Sequence, residues 1–264
     1  MLSTDLALSS AYADPTTSAS RLIVTRRDAM DRTYRAIGYL DRQREVSGSH
    51  VYTFSYLAQV ADQERFVPII GFRDLHRHYR STRLFPSFSE RVMSAKRPDR
   101  PEYLAALDLD ADADAWEILS ASGGHREGDP IELVSLPSYE PTTGMTSAHF
   151  LAHGVRYCDD EASAYLTQLQ RGHKLTLRFD PTNPKDANAI QVVDGSLCLG
   201  FVPSPLLDYV HSVVDSGAYE LRVVRANPAE THPHLRLLLH LRGHCEDFVF
   251  DGPAWRSASD LPAK

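Results

Sequence analysis

Asp194-Gly195 separates two short apolar runs, Ile190-Gln191-Val192-Val193 and Leu197-Cys198-Leu199-Gly200-Phe201-Val202. An Asp-Gly pair tolerates the positive φ angles of a two-residue turn, so the two runs are predicted to fold back on each other as an antiparallel hairpin. Just upstream, Lys174 to Phe179 alternates, with Leu175, Leu177 and Phe179 on one face and Lys174, Thr176 and Arg178 on the other. That period of two is the pattern of a half-buried strand. Between strand and hairpin, Asp180-Pro181-Thr182-Asn183-Pro184-Lys185-Asp186-Ala187-Asn188-Ala189 crowds polar turn residues together. Pro181 and Pro184 fix their own φ and push Asp180 and Asn183 towards extended backbone, so the loop is predicted to hold its shape in advance and to act as a binding loop.

The remaining periodicities give a mixed α+β chain. Tyr34 to Leu40 and His50 to Tyr56 read as strands joined by a polar loop containing Gly48, and Ile131 to Val134 as another. Helices are predicted over Arg83 to Ser94, around Tyr103, Leu104 and Leu107 after the Pro98-Asp99-Arg100-Pro101 break, and over Asp114 to Ala121 before Gly123-Gly124. Further on, Ser204 reads as an N-cap ahead of a stripe of Leu206, Tyr209, Val210, Val213 and Val214 that Gly217 stops. Tyr219 to Val224 and Leu235 to Leu241 are the last predicted strands. Many strands with one helix and no βαβ alternation indicate a small barrel in the C-terminal half.

With 264 residues the chain suits two domains, and the turn formers of Pro137 to Gly144 mark the expected break. The expected layout is a disordered tail over 1–20, a small α+β domain over 21–136, a linker over 137–147, a β-barrel domain over 148–250 and a tail over 251–264. Cys158, Cys198 and Cys245 form no C-x-x-C pair and leave one thiol over in any disulfide scheme, which places the chain in a reducing cytoplasm with its cysteines in the core. No apolar run approaches the roughly 18 residues of a membrane span, so no membrane association is expected. The net charge is −7, and residues 145–264 carry 11 Lys and Arg against 14 Asp and Glu. A broad basic field for wrapping nucleic acid is therefore excluded, and any such binding has to come from a local, salt-sensitive patch.

Several sharper chemistries fail on spacing. Asp108, Asp110, Asp112 and Asp114 begin like a calcium loop, but Ala113 replaces its glycine and Leu119 its bidentate glutamate. A solvated connector, with Asp114 or Asp112 capping the following helix, accounts for them. His232, His234, His240, His244 and Cys245 have unequal offsets and no paired cysteines, so zinc is not expected there, nor at His76-Arg77-His78. There is no G-x-S-x-G elbow, no reactive-cysteine signature and no glycine loop continuing to Lys-Ser/Thr. The expectation is a protein without catalytic residues, cofactors or metal.

Three motifs in order then carry a resemblance: His153-Gly154-Val155-Arg156-Tyr157, the Asp180 to Ile190 loop, and Leu199-Gly200-Phe201-Val202-Pro203. Together, over about residues 148 to 245, they resemble the HIRAN domain. The resemblance implies a modified OB-like barrel of DNA-repair and helicase-associated proteins, whose best understood member captures the 3′-hydroxyl end of single-stranded DNA. It places the family's Arg-Tyr pair on Arg156 and Tyr157 and its Asn and Asp on Asn183 and Asp186. Arg156, Arg178 and Lys185 would then neutralise phosphate, Tyr157 and Phe201 stack on bases, and Asn183 with Asp186 read the sugar end, Asn188 being a further nucleic-acid-binding candidate in the same loop. Lys185 departs from the end-binding member, which has a stacking tyrosine there; a lysine pairs with phosphate but does not stack.

A second resemblance covers about residues 24 to 135. Ile37-Gly38-Tyr39-Leu40, Tyr52-Thr53-Phe54-Ser55-Tyr56, Leu84 to Arg91 and Glu117 to Asp129 look like the N-terminal subdomain of HipA-type toxin kinases and the related small antitoxin. The kinase core has no counterpart, so phosphoryl transfer is not implied. The leading expectation is a non-catalytic protein that binds single-stranded DNA or DNA 3′ ends, in repair or mobile-element defence. The alternative is an antitoxin-like module whose residues 24–135 bind and restrain a toxin kinase or other protein partner.

Overall fold

The computed structural model describes residues 21–61, 63 and 66–260, so the tail expected over 1–20 lies outside the described residues. The first sheet is assembled from β1 (Arg21–Arg27), β2 (Tyr34–Arg44) and β3 (His50–Tyr56), followed by α1 (Ala58–Ala61), β4 (Tyr79–Ser81), α2 (Pro86–Ser89), α3 (Arg100–Ala106), α4 (Ala115–Ser122) and β5 (Ile131–Ser135). Its order is β4-β3-β2-β1-β5, antiparallel throughout, which leaves β5 on an edge.

Helix α4 starts where its cap demands. The Asp114 carboxylate accepts from the Glu117 amide at 2.8 Å, the Glu117 carboxylate accepts from the Asp114 amide at 2.7 Å, and Gly123 ends the helix at φ 66°. Asp114 also pairs with buried Arg42 at 2.6 Å, while Asp108 pairs with Arg171 at 2.7 Å. Two of the four aspartates are thus committed to arginines, as a connector requires.

The helix predicted over Arg83 to Ser94 shrinks to α2 and a series of turns. Buried Arg91 explains the loss: its guanidinium donates to the carbonyls of Gly124 and Ile131 at 3.3 and 3.0 Å and to Asp129 at 2.7 Å. Those anchors on the β5 side hold the chain in place after Ser89 and favour turns over a further helical rise.

The second sheet comprises β6 (Ser138–Glu140), β7 (Met145–Leu151), β8 (Lys174–Phe179), β9 (Ile190–Asp194), β10 (Leu197–Phe201), β11 (Tyr219–Ala226) and β12 (Leu237–His244), with α5 (Asp160–Leu166) after β7 and α6 (Leu207–Asp215) after β10. Its order is β10-β9-β8-β11-β12-β7-β6. The expected hairpin forms, but Asp194 pairs with Leu197 as the last residue of β9, so the two-residue loop is Gly195-Ser196, one residue later than the sequence predicts, with the positive φ of 54° on Gly195. Ser204 does not cap α6: it begins a short turn, Ser204–Leu206, and the N-cap position of α6 falls on Leu206 without a side-chain bond.

The expected OB-like barrel does not close. β8 pairs with β11 only at Leu175 and Lys174 and with β9 from Thr176 onward, so the sheet turns a corner there. Edge strand β10 meets the chain just beyond β7 at one bridge, His153 to Phe201. A ladder cannot extend beyond it, because Gly154 turns away at φ 70° and Pro203 has no amide to donate.

Residues 137–147, expected as a linker, instead hold the β6–β7 turn: the Gly144 amide donates to the Glu140 carbonyl at 2.8 Å, and Ser138 pairs with Ser147. Its turn formers close a hairpin within one sheet. The two expected domains also lack separate cores, since one apolar cluster runs from Leu22, Phe54 and Trp116 to Phe150, Leu199, Tyr209 and Leu241. The tail expected from residue 251 packs as well. Ser257 bridges Leu57 and shares a buried 2.8 Å hydrogen bond with Ser55, while the Trp255 ring lies 4.6 Å from Phe250 and 6.4 Å from Tyr39.

Candidate nucleic-acid interface

The loop after β8 is braced by its own side chains. Asp180 accepts from Thr182 at 3.0 Å, Asn183 at 3.2 Å and Gln191 at 3.0 Å. The Asn183 side-chain oxygen accepts from the amides of Lys185 at 3.0 Å and Asp186 at 3.4 Å, and Asp186 accepts from the Asn188 amide at 2.9 Å. At the base, the Asp180 amide bonds the Ala189 carbonyl at 2.9 Å, and the Asn188 carbonyl faces His211 Nε2 at 3.1 Å. Hydrogen bonds led by Thr182 and then Asn183 hold the Asp180 carboxyl below its usual range, so it is anionic when it accepts them. Asn183 and Asp186 therefore shape the loop, and Lys185 is left at its outer side.

Opposite the loop, a short turn over Val155–Tyr157 buries Val155 and exposes its neighbours. Tyr157 is 69% exposed, unusual for an aromatic ring without a partner surface. The Arg156 guanidinium and the Lys185 ammonium each lie 5.3 Å from the centre of its ring, so one aromatic face system is shared by two cations from separate segments. Gly154 makes room for this arrangement: a Cβ there would sit 3.0 Å from Phe201 Cδ2 and 3.9 Å from Tyr157 Cδ2. The rings of Tyr157 and Phe201 thus flank one backbone point.

Phe201 opposes Gln191, which opposes Arg178, so the three occupy one cross-strand row over β10, β9 and β8. Gln191 accepts both Arg178 Nε and Nη2, at 2.9 and 2.7 Å, and fixes that guanidinium in the row. Among the described residues, none of Arg156, Arg178 and Lys185 is paired with a carboxylate. The acidic run nearby is turned to another use, since Asp159 caps α5 by accepting from the Ala162 amide at 2.8 Å.

Of the residues singled out from sequence, Arg156, Tyr157 and Lys185 come together, Phe201 adjoins them, and Arg178 stands along the same row. Asn183, Asp186 and Asn188 form the frame. Gln191 and Gly154 were missed: Gln191 gives no motif signal, and the need for glycine at 154 appears only with Phe201 in place. The cysteines are not all in the core, for Cys245 is buried while Cys158 and Cys198 are half-exposed. A hydrogen bond from Cys158 pulls the Cys198 thiol down to about 6, and the same bond together with burial raises Cys158.

The segment from β7 to β12 is an antiparallel β unit with two helices that displays aromatics and cations on a braced loop and an adjacent turn. A HIRAN domain occupies this stretch: the family model matches residues 145–245. The chain is similar to the crystal structure of the HIRAN domain of human HLTF, at 21% identity over 38% of this chain and 77% of that one, with a TM-score of 0.29. It is also similar to a crystal structure of a protein from Lactobacillus plantarum, at 24% identity over 37% of this chain and 96% of that one, with a TM-score of 0.28. No curated protein matches. The family match leaves residues 24–135 outside it, so the resemblance to the HipA subdomain gains nothing from it. Among the described residues, no helix is long and apolar enough to cross a membrane.

Proposed function

We propose that this protein binds single-stranded DNA through its HIRAN domain, at or near a 3′ end, and acts as a non-catalytic recognition module in DNA repair or mobile-element defence. The observation that carries the reading is Tyr157, exposed and flanked by Arg156 and Lys185. A base stacked on such a ring contributes about 1–3 kcal/mol whatever its identity. The two flanking cations take the adjoining phosphates, with Arg178 placed for a further one along the strand.

In this reading Lys185 supplies charge where the end-binding relative has a stacking ring, and Tyr157 with Phe201 supplies the stacking. Asn183 acts by holding the loop. Asp186 bonds the Asn188 amide through Oδ1 and offers its second carboxylate oxygen to a terminal hydroxyl.

The test is binding of a fluorescent single strand at low salt, with the 3′ end either free or blocked by phosphate. Tighter binding of the free end supports the whole reading. Equal, measurable affinity removes end recognition and keeps strand binding; negligible affinity for both refutes the proposal.

A further inference from the structure

At the seam between the first sheet and the HIRAN domain, imidazoles from three separate parts of the chain gather round one carboxylate. Glu132 stands on edge strand β5 with its side chain only 5% exposed, and Thr25 fixes its backbone by donating to the Glu132 carbonyl at 2.9 Å. His125 follows the two left-handed glycines that end α4, and its Nδ1 lies 2.6 Å from Glu132 Oε1. His234 comes from the short turn Pro233–Leu235 before β12, and its ring stacks on that of His125 at 4.5 Å and 20°. His153 Nε2 is 3.6 Å from the other carboxylate oxygen of Glu132.

We propose that His125, Glu132 and His234 form a binding site for a divalent transition-metal ion of the zinc type, joining the first sheet to the HIRAN domain. One ligand atom from each residue lies within 4.8 Å of those of the others. Bonds of about 2.0–2.2 Å to a tetrahedral ion put ligand atoms about 3.4 Å apart, so the three close on an ion by side-chain shifts of about 1 Å. Two imidazoles and a carboxylate are a donor set that zinc and its neighbours accept.

The surroundings hold the ligands in place. His234 Nε2 is 3.0 Å from the Ser122 carbonyl, which only accepts; Nε2 therefore carries the proton and Nδ1 a lone pair. A ligating histidine anchored through its other nitrogen to a carbonyl is the usual outer support of such a site. An ion also has a way in, because His153 and His234 line a cleft of about 1090 Å³ between the two halves. His125 and Glu132 precede residue 145 whereas His234 lies within 145–245, so one ion would staple two parts of the protein. The staple falls close to the strand-binding surface, since His153 exchanges backbone bonds of 2.9 and 2.8 Å with Phe201.

The test uses full-length protein stripped with a chelator and titrated with Zn²⁺ by calorimetry, and with Co²⁺ by visible absorption. We expect one ion per chain, cobalt bands indicating low coordination number, and a melting temperature raised by the metal. His125→Ala and Glu132→Gln should each weaken binding about tenfold or more while keeping the wild-type circular dichroism. A His76→Ala/His78→Ala control should bind as wild type does. No stoichiometric binding by wild type, or undiminished binding by both His125→Ala and Glu132→Gln, overturns the proposal. DNA takes no part in these measurements, so their outcome is separate from that of the strand-binding test.

Discussion

Substituting Lys185 by alanine removes one of three cations on the proposed strand-binding surface and leaves its frame intact, because Lys185 contributes to that frame through its backbone amide. Each phosphate neutralised on a single strand contributes about −0.7 to the slope of log affinity against log salt, so Arg156, Arg178 and Lys185 together predict a slope of about −2.1. Between about 50 and about 200 mM salt, wild type should lose about 18-fold in affinity and Lys185→Ala, with a slope of about −1.4, about 7-fold. Tyr157→Ala is the complementary perturbation. It removes stacking worth about 1–3 kcal/mol, a loss of about 5- to 150-fold, and should leave the slope near that of wild type. Fluorescence anisotropy of a labelled oligonucleotide across a salt series reads both quantities. If Lys185→Ala keeps the wild-type slope, or Tyr157→Ala binds as tightly as wild type, the division of labour between charge and ring is wrong.

Other consequences concern stability and reactivity. His149 and His240 oppose each other on β7 and β12 with rings stacked at 4.0 Å, and burial followed by His240 pushes His149 down to about 4. Because that lies below the unfolded value of about 6.5, the neutral form stabilises the fold; up to about 3 kcal/mol is present above that pH and is lost as pH falls towards about 4. Urea denaturation at pH 7 and pH 4.5 should show the loss in wild type and a smaller one in His149→Gln; equal losses would refute the assignment. Gly154→Ala should destabilise by about 1–2 kcal/mol from its left-handed backbone alone and also weaken strand binding, since its Cβ would sit 3.0 Å from Phe201 Cδ2. A variant with wild-type melting and binding would contradict that geometry. Cys198, drawn down to about 6 by Cys158, should alkylate with iodoacetamide at neutral pH well before Cys245, and Cys158→Ala, which removes the donor, should slow it. Mass spectrometry of timed samples checks the order.

What could be read from sequence was what short-range chemistry decides. The hairpin after β9, a cap from one of the two aspartates before α4 and the glycine stop at 123 are each settled within a few residues; the cap is Asp114 and the stop lies where expected, while the hairpin's loop falls one residue later, on Gly195-Ser196. The residues of the proposed strand-binding surface were singled out by motif, and the roles proposed for them divide only in three dimensions. Asn183 was expected to meet ligand, yet both its side-chain atoms are engaged inside the loop.

Long-range features were hidden. Pro137 to Gly144 has the composition of a linker or of a hairpin turn, and the decision rests with β12, which offers β7 a full ladder. A closed barrel could not be told from an open sheet, because closure depends on whether Gly154 and Pro203 allow pairing beyond one bridge. The histidines nearest in sequence proved a poor guide as well, since His234 meets His125 and Glu132 from more than a hundred residues away.

The packing of Ser257 and Trp255 against β2 and β3 carries a consequence for biosynthesis. The first sheet is begun by residues that emerge from the ribosome early, but its bridge to Leu57 and the buried Ser55–Ser257 hydrogen bond require residues made after the whole HIRAN domain. During translation that sheet waits with one apolar side uncovered while the later unit folds. Contacts separated by some 200 residues form slowly because so long a loop must close first. The nascent chain should therefore depend on chaperones until its last turns dock, and a ribosome stalled just after β12 should display a protease-sensitive first sheet beside an already protected second one.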